Sequence, residues 1–178
     1  MILIITVCKE PLHYFEFVKP IEKILSKDNI KFFTKIYSEI SKADFKKADK
    51  IIICGTSLKD NKFVKDIKKF EWIKDYQKPI LGICAGMQII SLMFGAKLEK
   101  GTEIGFYKEN FMKEFLSLTA EHEVYHLHNN FYTLPEDFIS FVNSKIPQAI
   151  KHKSRNIYGV LFHPEVRNEK IIINFAKL

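Results

Sequence analysis

Apolar runs mark the chain at Met1 to Val7, Lys50 to Cys54, Pro79 to Ile83 and Asn156 to Phe162, and the more mixed Ile30 to Ile36 is a further strand candidate. Runs of this length without alternation predict strands covered on both faces, as in a parallel sheet. Helical stripes lie between them. Phe17, Val18, Ile21, Ile24 and Leu25 follow an i, i+1, i+4, i+7, i+8 pattern, with Pro20 placed in the first turn. Phe63, Val64, Ile67, Phe70 and Ile73 mark a second helix, with Asp60 or Asn61 available as its cap. A third helix starts at Gly86, and a last one spans Arg167 to Leu178 with Ile171, Ile172 and Phe175 on one face. Ser41 to Asp49 reads as a polar connection. This order predicts an α/β fold: an open, doubly wound, mostly parallel sheet with helices on both faces and right-handed crossovers. From Ala96 to Val142 short β-like runs alternate with Gly101, Gly105, Asn129-Asn130 and Pro135, which predicts β-hairpins added to the sheet edge or lying over it. No linker, repeat or low-complexity segment interrupts residues 1–178, so one domain is expected.

Composition changes this picture little. An apolar content of 47% is that of a globular chain with a full core, which excludes disorder. The apolar start is short and ends at Lys9 and Glu10, as a strand does and a signal peptide does not. No apolar run reaches transmembrane length. Cys8, Cys54 and Cys84 are odd in number and contain no CxxC, which points to a reducing compartment and a cytoplasmic protein. The net charge of +7 comes from lysines spread along the whole chain, with no basic run carrying interleaved aromatics. Neither a nucleic acid nor a membrane is therefore an expected partner. Phe106, Tyr107 and Phe111 follow a Gly101–Gly105 turn and are open to two readings, a partner surface or packing under the hairpins.

The chemistry concentrates at Gly82-Ile83-Cys84-Ala85-Gly86, a strand, a sharp turn and a helix start with the spacing of a nucleophile elbow. The glycines let neighbouring backbone crowd a strained turn, and a thiol at a helix N-terminus is favoured as thiolate. A thiolate nucleophile needs a base, and the base needs a partner that fixes its tautomer. His163 is the candidate base. Glu165, two residues on, shares its face in extended backbone and is the candidate orienting group. The peptide N–H groups of Gly55 and Ala85 are candidates for an oxyanion hole. All of these lie at carboxyl ends of expected strands, where open α/β sheets bind ligands.

Gly82-Ile83-Cys84-Ala85-Gly86-Met87-Gln88 and Gly159-Val160-Leu161-Phe162-His163-Pro164-Glu165 together resemble the two signatures of triad-type class I glutamine amidotransferases, G-[IV]-C-x-G-x-Q and G-x-Q-F-H-P-E. The resemblance runs over nearly the whole chain and implies a flavodoxin-like fold. It also implies glutamine hydrolysis to glutamate and ammonia through a γ-glutamyl thioester on Cys84, with His163 as base then acid and Glu165 as its partner. In the same way Gly55 and Ala85 map onto the oxyanion positions, and Gln88, Asn129 and Asn130 onto the grip on the substrate glutamine. No cofactor and no metal are expected. The chain departs from the family pattern at Cys54-Gly55-Thr56-Ser57, at Leu161 in place of glutamine, and at His128-Asn129-Asn130, which lacks His-x-Asp. These departures bear on the subfamily and leave the catalytic three intact. The resemblance implies that ammonia passes to a separate synthetase, first a GMP synthetase subunit of the ATP pyrophosphatase type. The other readings are a stand-alone γ-glutamyl hydrolase and a non-catalytic regulatory relic.

His122-Glu123-Val124-Tyr125-His126 is a literal H-E-x-x-H, a zinc-hydrolase motif only when helical. Val124, Tyr125 and the Asn129-Asn130 turn predict a strand instead, on which His122 and His126 stand ~13 Å apart at ~3.3 Å per residue. By the same rise His126 and His128 share one face about 7 Å apart, where they either meet a metal or flank a pocket.

Overall fold

A computed structural model describes all 178 residues. Its strands are β1 (Ile2–Thr6), β2 (Phe32–Ile36), β3 (Lys50–Ile53), β4 (Ile80–Ile83), β5 (Leu98–Phe115), β6 (Leu118–Tyr132), β7 (Phe138–Ser140), β8 (Ala149–His152) and β9 (Ile157–Val160). The helices are α1 (Pro11–Phe17), α2 (Lys19–Lys27), α3 (Lys42–Lys47), α4 (Lys62–Lys65), α5 (Ala85–Met93) and α6 (Lys170–Lys177). Seven strands form one sheet in the order β2-β1-β3-β4-β9-β8-β7, and β5 with β6 forms a separate two-stranded ribbon. The first five positions in that order are parallel, while β8 and β7 run antiparallel at the edge.

The apolar runs are continuous because both faces of the sheet are covered. Along β1, Ile2 and Ile4 join Val18, Ile21, Leu25, Ile171 and Phe175 on one side. Leu3 and Ile5 join Phe63, Phe70, Ile73 and Ile89 on the other. In register, Ile53 stands beside Gly82, Gly82 beside Gly159, and Ile83 beside Val160. The carboxyl ends of β3, β4 and β9 are therefore level, and the residues that follow them emerge at one place.

Several local expectations change. The first stripe belongs to two helices broken at Val18, and Pro20 lies in the first turn of α2 as expected. Ser41 to Asp49 is not merely a connection: it holds α3, closed by a capping box between Ser41 and Asp44. The second stripe splits into the single turn of α4 and a 3₁₀ segment, Ile67–Lys74. Asn61 takes the N-cap position of α4 without a side-chain bond. Asp60 instead accepts from the Lys9 N–H at 2.6 Å and the Thr56 hydroxyl at 2.9 Å, tying two strand-end loops together.

The second half holds one long ribbon in place of several short hairpins, with only β7 and β8 added at the sheet edge. Gly101 to Gly105 lies within β5 rather than in a turn, and a register shift falls between Lys100 and Glu103. Phe106 and Tyr107 are exposed, whereas Phe111 is core, packed edge-on against Phe162. The H-E-x-x-H segment lies in β6, as its side chains predicted. No helix is long and apolar enough to cross a membrane.

Candidate active site

Cys84 makes the turn from β4 to α5 in a single residue. Its N–H continues the sheet, donating to the Val160 carbonyl at 2.8 Å, and its own carbonyl accepts the Gln88 N–H at 3.0 Å to start the helix. Satisfying both forces φ to 47° and ψ to −103°, a left-handed conformation that costs a side-chain-bearing residue about 1–3 kcal/mol. The glycines on either side make this possible. A Cβ on Gly82 would stand 2.5 Å from the Gly86 carbonyl carbon, and one on Gly86 only 2.1 Å from the Ile53 oxygen. The strain is maintained by a helix pressed directly on sheet backbone.

His163 follows β9 and is brought beside the elbow. A Cβ on Gly55 would stand 2.7 Å from His163 Cε1 and 3.3 Å from Cys84 Cβ, so Gly55, Cys84 and His163 meet in van der Waals contact. The His163 N–H of the backbone donates to the Tyr125 carbonyl at 2.8 Å, which fastens β6 to this segment. His163 Nδ1 lies 2.7 Å from Glu165 Oε1, and both side chains are enclosed. Burial alone lowers the imidazole pKa; the Glu165 carboxylate and then Cys84 more than reverse this, holding His163 well above its ordinary value. His163 Nε2 has no hydrogen-bond partner, and the Cys84 thiol points instead to the Leu127 carbonyl at 3.6 Å. Burial pushes the other two thiols, Cys8 and Cys54, upward.

A cavity of about 220 Å³ opens over Cys84 and Ala85. That is below the roughly 300–1,000 Å³ of sites for drug-sized ligands and suits a single amino acid. Gln88, Asn129 and Asn130 all line it. Gln88 Nε2 donates to the Asn130 carbonyl at 3.1 Å, and Asn130 Nδ2 to Asn129 Oδ1 at 2.9 Å. Ala85 is the first residue of α5, where an N–H has no intrahelical acceptor. The Gly55 N–H likewise finds no backbone acceptor. Gly55, Cys84, Ala85, Gln88, Asn129, Asn130, His163 and Glu165 thus lie together around this cavity and its rim.

The Leu127 and Tyr125 carbonyls act through backbone and carry no signal in the sequence. Thr56 and Ser57, which the sequence marks only as part of the strand-end stretch Cys54 to Ser57, and Asp60, which it offers only as a cap, line the cavity from the loop after β3. The Phe17 ring, 5.4 Å from that of His163, was legible only as a helix-stripe residue.

The raised His163 pKa makes a stability prediction with a definite sign. A group whose folded pKa is raised contributes stability in full below its unfolded value, about 6.5, and loses it as pH climbs through the folded value. Glu165→Gln keeps the shape and an acceptor but removes the charge. It is expected to lower unfolding free energy by about 1.5–3 kcal/mol at pH 6, the scale of a charged hydrogen bond, with the deficit shrinking at alkaline pH. Urea titrations of both proteins across that range check this; a deficit independent of pH sinks the assignment.

The fold and these residues define an α/β protein with a cysteine at a nucleophile elbow and a histidine–carboxylate pair beside it. The chain belongs to the class-I glutamine amidotransferase family, whose family model matches residues 18–173. It is 40% identical over 121 residues to a Methanosphaera stadtmanae protein named as a subunit of glutamine-hydrolyzing GMP synthase, covering 61% of this chain and 64% of that one. The Thermoplasma acidophilum protein of the same name is 40% identical over 106 residues, covering 55% and 53%. The chain thus spans less than two thirds of these curated relatives. A Thermoplasma acidophilum crystal structure, provisionally assigned to the same GMP synthase subunit, superposes with a TM-score of 0.85 at 27% identity, covering 99% of this chain and 93% of that one. A Thermotoga maritima glutamine amidotransferase structure shares the fold, with a TM-score of 0.72 at 20% identity over 92% and 76%.

Proposed function

We propose that this chain hydrolyses L-glutamine to L-glutamate and ammonia, and that the ammonia passes to a separate GMP synthetase subunit of the ATP pyrophosphatase type. The observation that carries the reading is the enclosed His163–Glu165 contact set beside a thiol on a strained elbow. Glutamine enters the cavity with its amino-acid end against Gln88, Asn129 and Asn130. The Cys84 thiol turns from Leu127 to His163 Nε2 and gives up its proton, which the raised basicity of the imidazole favours. The thiolate attacks the side-chain amide carbon, and the Gly55 and Ala85 N–H groups hold the oxyanion. The imidazolium protonates the leaving nitrogen, ammonia departs and a γ-glutamyl thioester remains. His163 then takes a proton from water, which attacks the thioester and releases glutamate.

The partner is argued from the names of the relatives, which are subunits of a glutamine-hydrolyzing GMP synthase. We read residues 1–178 as one amidotransferase domain, and three free, buried thiols suit a reducing cytoplasm. The test is ammonia release from glutamine with and without a GMP synthetase catalytic subunit. Release that rises with the partner and yields GMP supports the reading. Release that ignores the partner and extends to other γ-glutamyl compounds overturns the synthetase pathway in favour of a stand-alone hydrolase. Silence in both arms, with no glutamine-analogue adduct on Cys84, overturns the enzyme reading.

A further inference from the structure

Glu103 on β5 and His126 and His128 on β6 bring three donor atoms within 4.8 Å of one another. Cross-strand register places Glu103 opposite His128, with Gly105 opposite His126, so all three share one face of the ribbon. Both imidazoles are buried, His126 completely. Their outward nitrogens are held by acceptors: His126 Nε2 by Glu109 Oε1 at 3.1 Å, and His128 Nδ1 by the Gly101 carbonyl at 3.2 Å. An imidazole that gives its one N–H outward presents a bare lone pair from the other nitrogen. Those inner nitrogens face a single carboxylate oxygen. Glu103 Oε2 is 2.9 Å from His128 Nε2 and 3.7 Å from His126 Nδ1. Gln148, also wholly buried, fixes that oxygen with a 2.6 Å hydrogen bond. Ordinary histidine–glutamate pairing accounts for His128 and for Glu109. It leaves His126 Nδ1 enclosed, without a hydrogen-bond partner and directed at a carboxylate. With both N–H groups turned outward, two nitrogen lone pairs and a carboxylate oxygen would converge on one point, which is a cation's environment.

We propose that Glu103, His126 and His128 bind a divalent transition ion of the zinc class, which fastens β5 to β6 beside the cavity. Two imidazole nitrogens with one carboxylate oxygen select zinc-like ions over magnesium or calcium, which take oxygen donors. Zinc–donor bonds of about 2.0–2.1 Å set tetrahedral donors about 3.3 Å apart, between the two separations observed to Glu103. The outer contacts are those of a built site, since metal-bound imidazoles give their second N–H to a carboxylate or carbonyl. Glu109 and Gly101 already fill these roles. The fourth position falls to water or to Gln148 Oε1, which has no partner of its own. Entry is from the cavity, because His128 lines it. The ion bridges β5 where its register shifts after Lys100, and holds the segment leading into Asn129 and Asn130.

The test uses chelator-treated Cys84→Ser protein, so that the elbow thiol cannot supply a competing site, and it reads binding rather than activity. One equivalent of Co²⁺ should give visible ligand-field bands that Zn²⁺ abolishes, and Zn²⁺ should raise the melting temperature. His126→Gln and His128→Gln should each weaken binding at least about 100-fold, and Glu109→Gln, which touches no metal, about 10–100-fold. His122→Gln, outside the cluster, should change nothing. Circular dichroism of the ion-free variants establishes that they fold, and Glu109→Gln carries the test where a histidine variant does not. Absence of stoichiometric binding overturns the proposal, as does equal affinity in Glu109→Gln and the folded histidine variants.

Discussion

Cys84→Ala is expected to abolish ammonia release from glutamine while leaving glutamine binding nearly intact. Loss of a nucleophile that acts together with its base costs on the order of 10⁶-fold in kcat. On the proposed reading binding should survive, because Gln88, Asn129 and Asn130 hold the cavity wall through contacts that do not involve the thiol. The fold survives as well. Alanine meets the same strain at φ 47° as cysteine, and the thiol's only hydrogen bond is the long one to Leu127. Calorimetric glutamine titration and rapid-quench mass spectrometry separate the two effects: wild type should accumulate a γ-glutamyl adduct on Cys84 and the variant none. Residual turnover above about one hundredth of wild type would mean that Cys84 is not the nucleophile, since water-level catalysis by the remaining groups is far slower.

The second large effect is one of packing. Gly86→Ala sets a Cβ 2.1 Å from the Ile53 carbonyl oxygen, 2.9 Å from the Ile53 carbonyl carbon and 3.0 Å from its Cβ. The obstacle is mostly backbone of a central strand, so relief requires α5 to lift off the sheet and carry Cys84 with it. Overpacking of cores costs about 1–3 kcal/mol, and an obstruction that cannot rotate away belongs at or beyond the upper end. The helix-propensity gain of alanine, about 1 kcal/mol, offsets only part. At about 2–4 °C per kcal/mol for a chain of this size, the melting temperature should fall by roughly 4–12 °C. Gly95→Ala is the contrast. Its φ of +80° strains any side chain, but nothing lies within 4 Å, so the expected cost is about 1–2 kcal/mol with activity unchanged. Equal behaviour of the two variants would show that contact with Ile53 does not hold the elbow.

The parallel half of the fold was legible because each of its central strands is enclosed on both faces, as Leu3 to Ile5, Ile51 to Ile53 and Ile80 to Ile83 show. Alternation had nothing to report there, and an unbroken apolar run was the whole signal. The candidate site was legible for a related reason: strand ends are where small residues and chemistry interrupt such runs, and Gly55, Cys84 and His163 each end one. α3 was missed because it buries no residue and so has no stripe, although Ser41 and Asp44 spelled out its cap. The sequence predicts several hairpins where one ribbon stands, because register shifts after Lys100 and after Phe111 break the period that marks two long strands. Asp60 looked like a cap and serves instead as the knot between Lys9 and Thr56, a tertiary role that spacing cannot encode.

The position of β9 has a consequence for how the molecule comes into being. It fills the slot between β4 and β8, and every residue from 84 to 156 separates it from its partner β4. During synthesis the elbow, with its thiol and its helix, exists well before the strand that delivers His163. Until residues 157–160 leave the ribosome, β4 presents an open edge of unpaired backbone groups, the kind of surface that pairs wrongly or aggregates. Closing so distant a contact is slow, since its chain entropy is spent before the pairing rewards it. The nascent chain therefore holds Cys84 before His163 can reach it, and the step that completes the sheet is the same step that brings the two side chains together.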